Sequence, residues 1–167
     1  VGRELIFRDK LAPLADRFDY VLVDCPPSLG ILTLNALCAV EEVFLPLQSH
    51  FLALHGLSKL LETIDLVTRR LNHRLKLTGV VFCMYDSGTR LAAEVRRDVE
   101  EFFGAAQNDG RPWSDVHIFQ TPIRRNIRLA EAPSFGKSIL HYAADSNGSA
   151  DYRALAAEVL AEAAVPT

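Results

Sequence analysis

Phe18-Asp19-Tyr20-Val21-Leu22-Val23-Asp24-Cys25-Pro26-Pro27-Ser28-Leu29-Gly30 passes from an aromatic and β-branched run into a carboxylate, two prolines and a glycine. A short apolar run closed in this way predicts a buried parallel strand over Tyr20–Val23 that ends in a loop. Asp24 then stands at a strand tip, where a carboxylate can hold the water shell of a magnesium ion beside phosphates. An Asp in that place is also a common helix cap or turn former. Two prolines stiffen the loop and Gly30 permits a sharp re-entry into a helix, which suits a segment that senses a phosphate; a structural turn uses the same residues.

Around this run, apolar spacing predicts helices over Ile31–Val40, His55–Leu71, Arg90–Phe103 and Gly148–Ala164, and strands over Val43–Leu47, Leu77–Met84 and His117–Thr121. Upstream, Glu4–Arg17 reads as an amphipathic helix in which Pro13 demands a late start or a kink. Strands alternating with helices imply an α/β fold, a mostly parallel sheet with helices on both faces, in a single domain over 1–167. Ligands of such sheets lie beyond the carboxyl ends of the strands. Chemistry is therefore expected in the loops Cys25–Gly30, Gln48–Leu54, Tyr85–Thr89 and Pro122–Gly136. The polar insert Gly104–Asp115, with Asn108, Asp109, Gly110 and Pro112, reads as a surface excursion. Its Trp113 is either a lid over apolar surface or an anchor for a partner.

Composition narrows the classes. With 49% apolar and 23% charged residues in 167, the chain is no disordered tail. Eighteen Lys and Arg against 21 Asp and Glu leave a net charge of −3, so any nucleic-acid contact must come from a local patch. Cys25, Cys38 and Cys83 are scattered and odd in number, which argues against a disulfide framework, a zinc ribbon or an iron–sulfur cluster and favours a reducing, cytoplasmic setting. His50 and His55 lack the companions a metal site needs. Val43–Leu61 is too polar to span a bilayer, no signal peptide opens the chain, and Ser149–Thr167 is too acidic to be drawn to anionic lipid. The first residue is Val1 rather than Met, as expected of a fragment or of an N-terminally incomplete reading frame.

Four segments carry a resemblance: the run from Phe18 to Gly30; Thr33-Leu34-Asn35-Ala36-Leu37; Met84-Tyr85-Asp86-Ser87-Gly88-Thr89; and Arg125-Asn126-Ile127-Arg128-Leu129-Ala130-Glu131-Ala132-Pro133-Ser134-Phe135-Gly136-Lys137. In this order and spacing, from about Gly2 to about Leu160, they resemble the ParA family of partition ATPases, in the ParA/MinD group of P-loop NTPases. The resemblance implies ATP and Mg2+ as cofactors. Asp24 becomes the Walker B carboxylate, catalytic and bound to magnesium through water; Cys25, Pro26 and Pro27 become the second switch. Met84, Tyr85, Asp86, Pro122, Ile123, Arg124 and Asn126 lie against the adenine. It also implies an ATP-bound homodimer on the nucleoid that binds DNA nonspecifically, a ParB-like partner that stimulates hydrolysis, and no membrane.

The departures matter as much. Relatives open with a phosphate-binding loop of the type Lys-Gly-Gly-x-Gly-Lys-Thr on a central strand, and no Gly-x-x-x-x-Gly-Lys-Ser/Thr string occurs here. The chain thus resembles the C-terminal two-thirds of such a protein, lacking its N-terminal strand and P-loop, with apolar strand edges left over. ATP hydrolysis is implied by the resemblance, while these 167 residues alone are expected to be inactive. Ile123-Arg124-Arg125-Asn126 replaces the usual Ile-Pro-Arg-Asn, and Asn147 replaces a frequent basic residue.

Arg125, Arg128 and Lys137 form the basic cluster expected to touch DNA phosphates, with surface pairing to Glu131 as the other reading. Arg125 and Arg128 are expected to share a face of one helical turn. Arg96 and Arg97, among Glu94, Asp98, Glu100 and Glu101, belong to a solvated face. Paired cluster cysteines are absent, which sets aside iron–sulfur relatives; Ala132-Pro133-Ser134-Phe135-Gly136-Lys137 points away from the amidotransferase relatives of cobalamin synthesis. The alternative function is a nucleotide-independent DNA- or protein-interaction module.

Overall fold

The computed structural model describes residues 2–26, 28–50 and 52–163. The elements are α1 (Ile6–Leu11), a 3-10 turn (Ala12–Arg17), α2 (Ile31–Ala39), β1 (Glu42–Gln48), α3 (Leu52–Arg70), β2 (Lys76–Tyr85) and α4 (Arg90–Ala105). They continue with β3 (His117–Ile118), β4 (Ile123–Arg124), α5 (Ile127–Glu131), a 3-10 turn (Ala132–Phe135), α6 (Ile139–Tyr142) and α7 (Asn147–Ala163). The strands form one sheet in the order β1-β2-β3, with β4 also paired to β2. The chain groups into two compact units: 1–44, 54–78 and 105–116 in the first, and 45–53, 79–104 and 117–167 in the second.

In the second unit β2 is the spine. Val80, Val81 and Phe82 are 0%, 7% and 0% exposed, and since successive residues of a strand point to opposite faces, both faces are covered. The Phe82 ring meets α4, with the Arg96 guanidinium 5.4 Å from its centroid. Val81 packs with Phe119 and Ile123 against Leu155 and Val159 of α7. Helices thus lie on both faces of the sheet here, and the pairs β2–β3 and β2–β4 are parallel.

In the first unit, Leu57, Leu61, Ile64 and Val67 of α3 are buried at the three- and four-residue spacing that marks one helical face. Asn35 is the polar staple of α2: its Nδ2 donates to the carbonyls of Arg3 and Ile31, and its Oδ1 accepts the Phe7 N–H at 3.0 Å. This fixes α1, which stops at Leu11 because Pro13 has no N–H with which to continue an α-helix.

Three expectations are corrected. Tyr20–Val23 is not a strand: the segment takes no regular secondary structure, and Tyr20 and Leu22 are 58% and 88% exposed. Its β-branched composition supplies propensity, but no described strand lends it a ladder, and propensity without neighbours does not make a sheet. The strand expected over His117–Thr121 ends at Ile118 because the N–H groups of Gln120 and Thr121 donate to the Glu158 carboxylate, at 2.6 and 3.0 Å, instead of to a neighbouring strand. The span Pro122–Gly136, expected as a loop, contains β4, α5 and a 3-10 turn.

The insert Gly104–Asp115 runs over the surface as expected, with its Ala106 and Trp113 buried. The Leu77 N–H donates to the Pro112 carbonyl at 2.8 Å, and Trp113 is 6% exposed beneath the Arg111 guanidinium. Trp113 is therefore the lid of the two readings. The helix expected over His55–Leu71 begins three residues earlier, at Leu52.

Candidate functional site

In the first unit, Asp24, Cys25 and Pro26 line a cleft of about 580 Å³ together with Arg3, Lys10, Ile6, Phe7, Ile31 and Leu32. Asp24 is exposed and makes no hydrogen bond or ion pair with a described residue, which leaves its carboxylate available to a cation. It is not held on a strand tip, as expected, because that strand does not form. The loop that follows is tied at its far end, where Thr33 Oγ1 donates to the Ser28 carbonyl at 2.5 Å. Burial, and after it the Asp24 charge, push the Cys25 thiol above its ordinary value, so it stays protonated near neutrality. Pro27 lies outside the described residues.

In the second unit the residues expected around a base do come together. The carboxyl end of β2 pairs in parallel with β4, Cys83 opposite Ile123 and Tyr85 opposite Arg124 across a bulge, and the Arg125 N–H donates to the Tyr85 carbonyl at 3.4 Å. Met84, at the bulge, takes the left-handed backbone (φ 49°) and is 56% exposed. Asp86 Oδ1 accepts the Gly88 N–H, while the Asp86 carbonyl accepts from the Thr89 hydroxyl, so this residue shapes the turn into α4.

Individual roles shift within that set. Ile123, 5% exposed, faces the core, leaving its backbone rather than its side chain for a ligand. Asn126 caps α5 by accepting the Arg128 N–H at 2.9 Å. Arg124 is spent on Asp151: its N–H donates to Oδ2 at 3.0 Å, Nε reaches both carboxylate oxygens at 3.1 and 3.0 Å, and Nη2 reaches Oδ1 at 2.6 Å. Burial works to raise the Asp151 carboxyl, but the hydrogen bonds from Arg124 prevail and hold it below its ordinary value. The guanidinium of Arg124 is therefore an anchor rather than a ligand for a base.

The basic cluster is looser than expected. Arg125 precedes the cap Asn126 and so lies outside α5, which removes the shared helical face with Arg128. Arg128 Nη1 pairs with Glu131 Oε2 at 2.9 Å, and the Tyr142 hydroxyl donates to the same oxygen at 3.1 Å. Arg125 and Lys137 are exposed, and neither side chain engages a described residue. Gly136, in the left-handed region at φ 62°, closes the turn before Lys137, whose N–H returns to the Ala132 carbonyl.

Sequence reasoning missed what α7 does. Asp151 and Glu158 are seven residues apart and share the helix face that carries Leu155 and Val159. Burial opposes ionisation of Glu158, yet the N–H groups of Gln120 and Thr121, together with His117, hold its carboxyl below the ordinary value. The signal was available, because a carboxylate on an otherwise apolar helix face needs donors. Gly148 is a second case: a Cβ there would meet Leu129 Cγ at 2.8 Å, so the glycine is what lets α5 approach α7.

A family described as an AAA domain matches residues 1–77. The chromosome-partitioning ATPase Soj of Treponema pallidum is 45% identical over 95% of this chain and 58% of its own length. The chromosome partitioning protein ParA of Myxococcus xanthus is 44% identical over 95% of this chain and 52% of its own. The chain thus spans just over half the length of these relatives, less than the two-thirds expected.

Among solved structures, cobyrinic acid a,c-diamide synthase from Mycobacterium smegmatis, with bound ATP analogue and magnesium, superposes with a TM-score of 0.73 at 35% identity, over 96% of this chain and 55% of that one. The cell division ATPase MinD of Pyrococcus furiosus shares the fold, with a TM-score of 0.69 at 22% identity over 93% of this chain and 57% of that one. No described helix is long and apolar enough to cross a membrane. Over 95% of its length, this chain is similar to chromosome-partitioning proteins of the ParA and Soj type.

Proposed function

We propose that the chain is the base-binding and switch portion of a cytoplasmic, nucleoid-associated partition ATPase that cycles a chromosome or plasmid. The observation that carries this is the parallel register of β2 with β4, which gathers Met84, Tyr85, Asp86, Pro122 and the Ile123–Asn126 backbone at one sheet end, as a base-binding edge requires. Asp24, a hard oxygen donor with no partner among the described side chains, fits Mg2+, and the loop Cys25, Pro26, Pro27 carries the state of the terminal phosphate to the rest of the chain. Bound Mg-ATP supplies the electrophilic phosphorus and the charge neutralisation that phosphoryl transfer needs. The residues of this chain orient the nucleotide and hold the metal.

In the ATP-bound homodimer, Arg125, Arg128 and Lys137 touch DNA phosphates without reading sequence, and a ParB-like partner stimulates hydrolysis and release. The side chains of Arg125 and Lys137 have no hydrogen-bond or ion-pair partner among the described residues, and Arg128 can leave an exposed, weak pairing with Glu131. Removing one phosphate-binding charge lowers the salt slope of binding by about 0.9. Titrations of unrelated duplexes at several salt concentrations test this, and an unchanged slope in Arg125→Ala/Arg128→Ala returns these side chains to surface pairing.

The deciding experiment joins the chain to a phosphate-binding segment of the Lys-Gly-Gly-x-Gly-Lys-Thr type and measures ATP turnover. Asp24→Ala is expected to reduce turnover by about 100-fold or more with melting unchanged. Turnover within a few-fold of the parent makes Asp24 a turn residue, and no turnover in the parent favours a nucleotide-independent interaction module.

A further inference from the structure

Asp151 stands on α7, 27 residues from Arg124 in sequence, and is 6% exposed. A buried carboxylate is retained only with its hydrogen bonds satisfied, and here one residue supplies all those described, from backbone and guanidinium together. Gripping a residue by its N–H and by its side-chain fork fixes both its backbone and its rotamer. Arg124 ends β4, lies opposite Tyr85 and stands two residues before the cap Asn126. Its position therefore sets the course of the chain from Ile123 to Asn126.

We infer that the Asp151–Arg124 clamp is a positioning device that ties the Ile123–Asn126 edge to α7 and thereby sets the affinity of that edge for a nucleobase. The inference rests on the nucleotide reading above and adds a residue that touches no ligand. A base edge works only if its backbone is held, because a displacement of about 1 Å is enough to lose most of the gain from orientation. Gly148, three residues before Asp151 on the same helix, lets Leu129 of α5 pack closely, so the two ends of the Ile123–Leu129 stretch are both moored to the start of α7.

The test has two arms. In the chain as it stands, Asp151→Asn keeps an acceptor for the Arg124 N–H but loses the charged fork. It is expected to speed amide exchange at Arg124 and at Arg128, whose N–H the Asn126 cap holds, by about tenfold relative to β2. Arg124→Lys keeps the charge without the fork and should do the same with a smaller loss of stability. Exchange unchanged in both variants overturns the clamp.

In the chain joined to a phosphate-binding segment, ATP and inorganic tripolyphosphate are the probes. Asp151→Asn is expected to weaken ATP about tenfold in Kd and KM, with kcat within twofold and tripolyphosphate unchanged. Equal weakening of both probes, or of neither, contradicts a role at the base. If the parent binds neither, the nucleotide reading itself fails, and the base-positioning inference with it; the exchange arm still reports on the clamp alone.

Discussion

Two segments of this chain have nearly the same local grammar and opposite fates. Tyr20-Val21-Leu22-Val23 and Val80-Val81-Phe82-Cys83 are both apolar, rich in β-branched or aromatic residues, and followed by a site expected at the strand end. In the second, a central strand, Val80, Val81 and Phe82 are 0–7% exposed; the first is unpaired, with Leu22 at 88%. The difference lies in the neighbours. β2 has β1, β3 and β4 to hydrogen-bond, α4 on one face and α7 on the other, whereas nothing among the described residues supplies a ladder to Tyr20–Val23. Backbone pairing is a relation between two segments, and a sequence window displays only one of them.

Hydrogen exchange breaks or sharpens this contrast most strongly. Amides of Val80–Phe82 should exchange at least about 10³-fold more slowly than those of Tyr20–Val23, since the first open only with the unit and the second are already open. Protection of Tyr20–Val23 comparable to that of β2 would show that it finds a partner in solution, such as a second copy of the chain.

Side-chain deletion gives the next largest effect. Phe82→Ala, in the 0% exposed spine, is expected to cost about 3–5 kcal/mol, and Leu22→Ala to stay within about 0.5 kcal/mol while improving solubility, because an exposed apolar segment of high β-propensity invites pairing with another chain. Chemical denaturation of both variants checks the pair, and similar losses would erase the distinction.

Acid is a gentler probe of what holds β3 and β4. Asp151 and Glu158 both lie below their ordinary values of 3.8 and 4.5 in the folded state. A depressed folded value means that their contribution is complete above the unfolded values and fades as pH falls through the folded ones. Stability of the second unit should therefore be level near neutrality and decline progressively below about pH 4.5. Glu158→Gln should flatten the upper part of that decline, as read from urea midpoints across pH; an unaltered profile would place the loss elsewhere.

The smallest expected effect is local. Gly148→Val, whose Cβ would press on Leu129 at 2.8 Å, should lower the melting temperature by about 2–4 °C, and pairing it with Leu129→Ala should recover part of that. A neutral Gly148→Val would mean that α5 yields freely.

How much of this was legible in the sequence follows the same rule. α2, β1, β2, α4 and α7 were read within one or two residues, because each carries an apolar run or apolar spacing of strand or helix length bounded by polar or turn residues. The short strands β3 and β4 were not, since their ends are decided by a carboxylate 37 or 27 residues away, Glu158 for Thr121 and Asp151 for Arg124. The residues expected to face a base were grouped from motif resemblance and do lie together at one sheet end, yet the individual uses of Ile123, Arg124 and Asn126 depend on packing, capping and ion pairing that no local pattern encodes. Asp24 was recognised as the candidate metal ligand while its scaffold was misread, for want of the neighbour that would make it a strand.

The central claim is that this chain carries the base edge and Asp24 but not the phosphate cradle of a nucleotide switch. Calorimetry with Mg-ATP tests it directly, first on the 167 residues alone and then on the chain joined to a Lys-Gly-Gly-x-Gly-Lys-Thr segment. The account predicts weak or undetectable binding by the chain alone and micromolar binding by the joined protein, since the phosphate loop brings most of the preorganised donors. Micromolar affinity of the isolated chain, or no gain on joining, would contradict it.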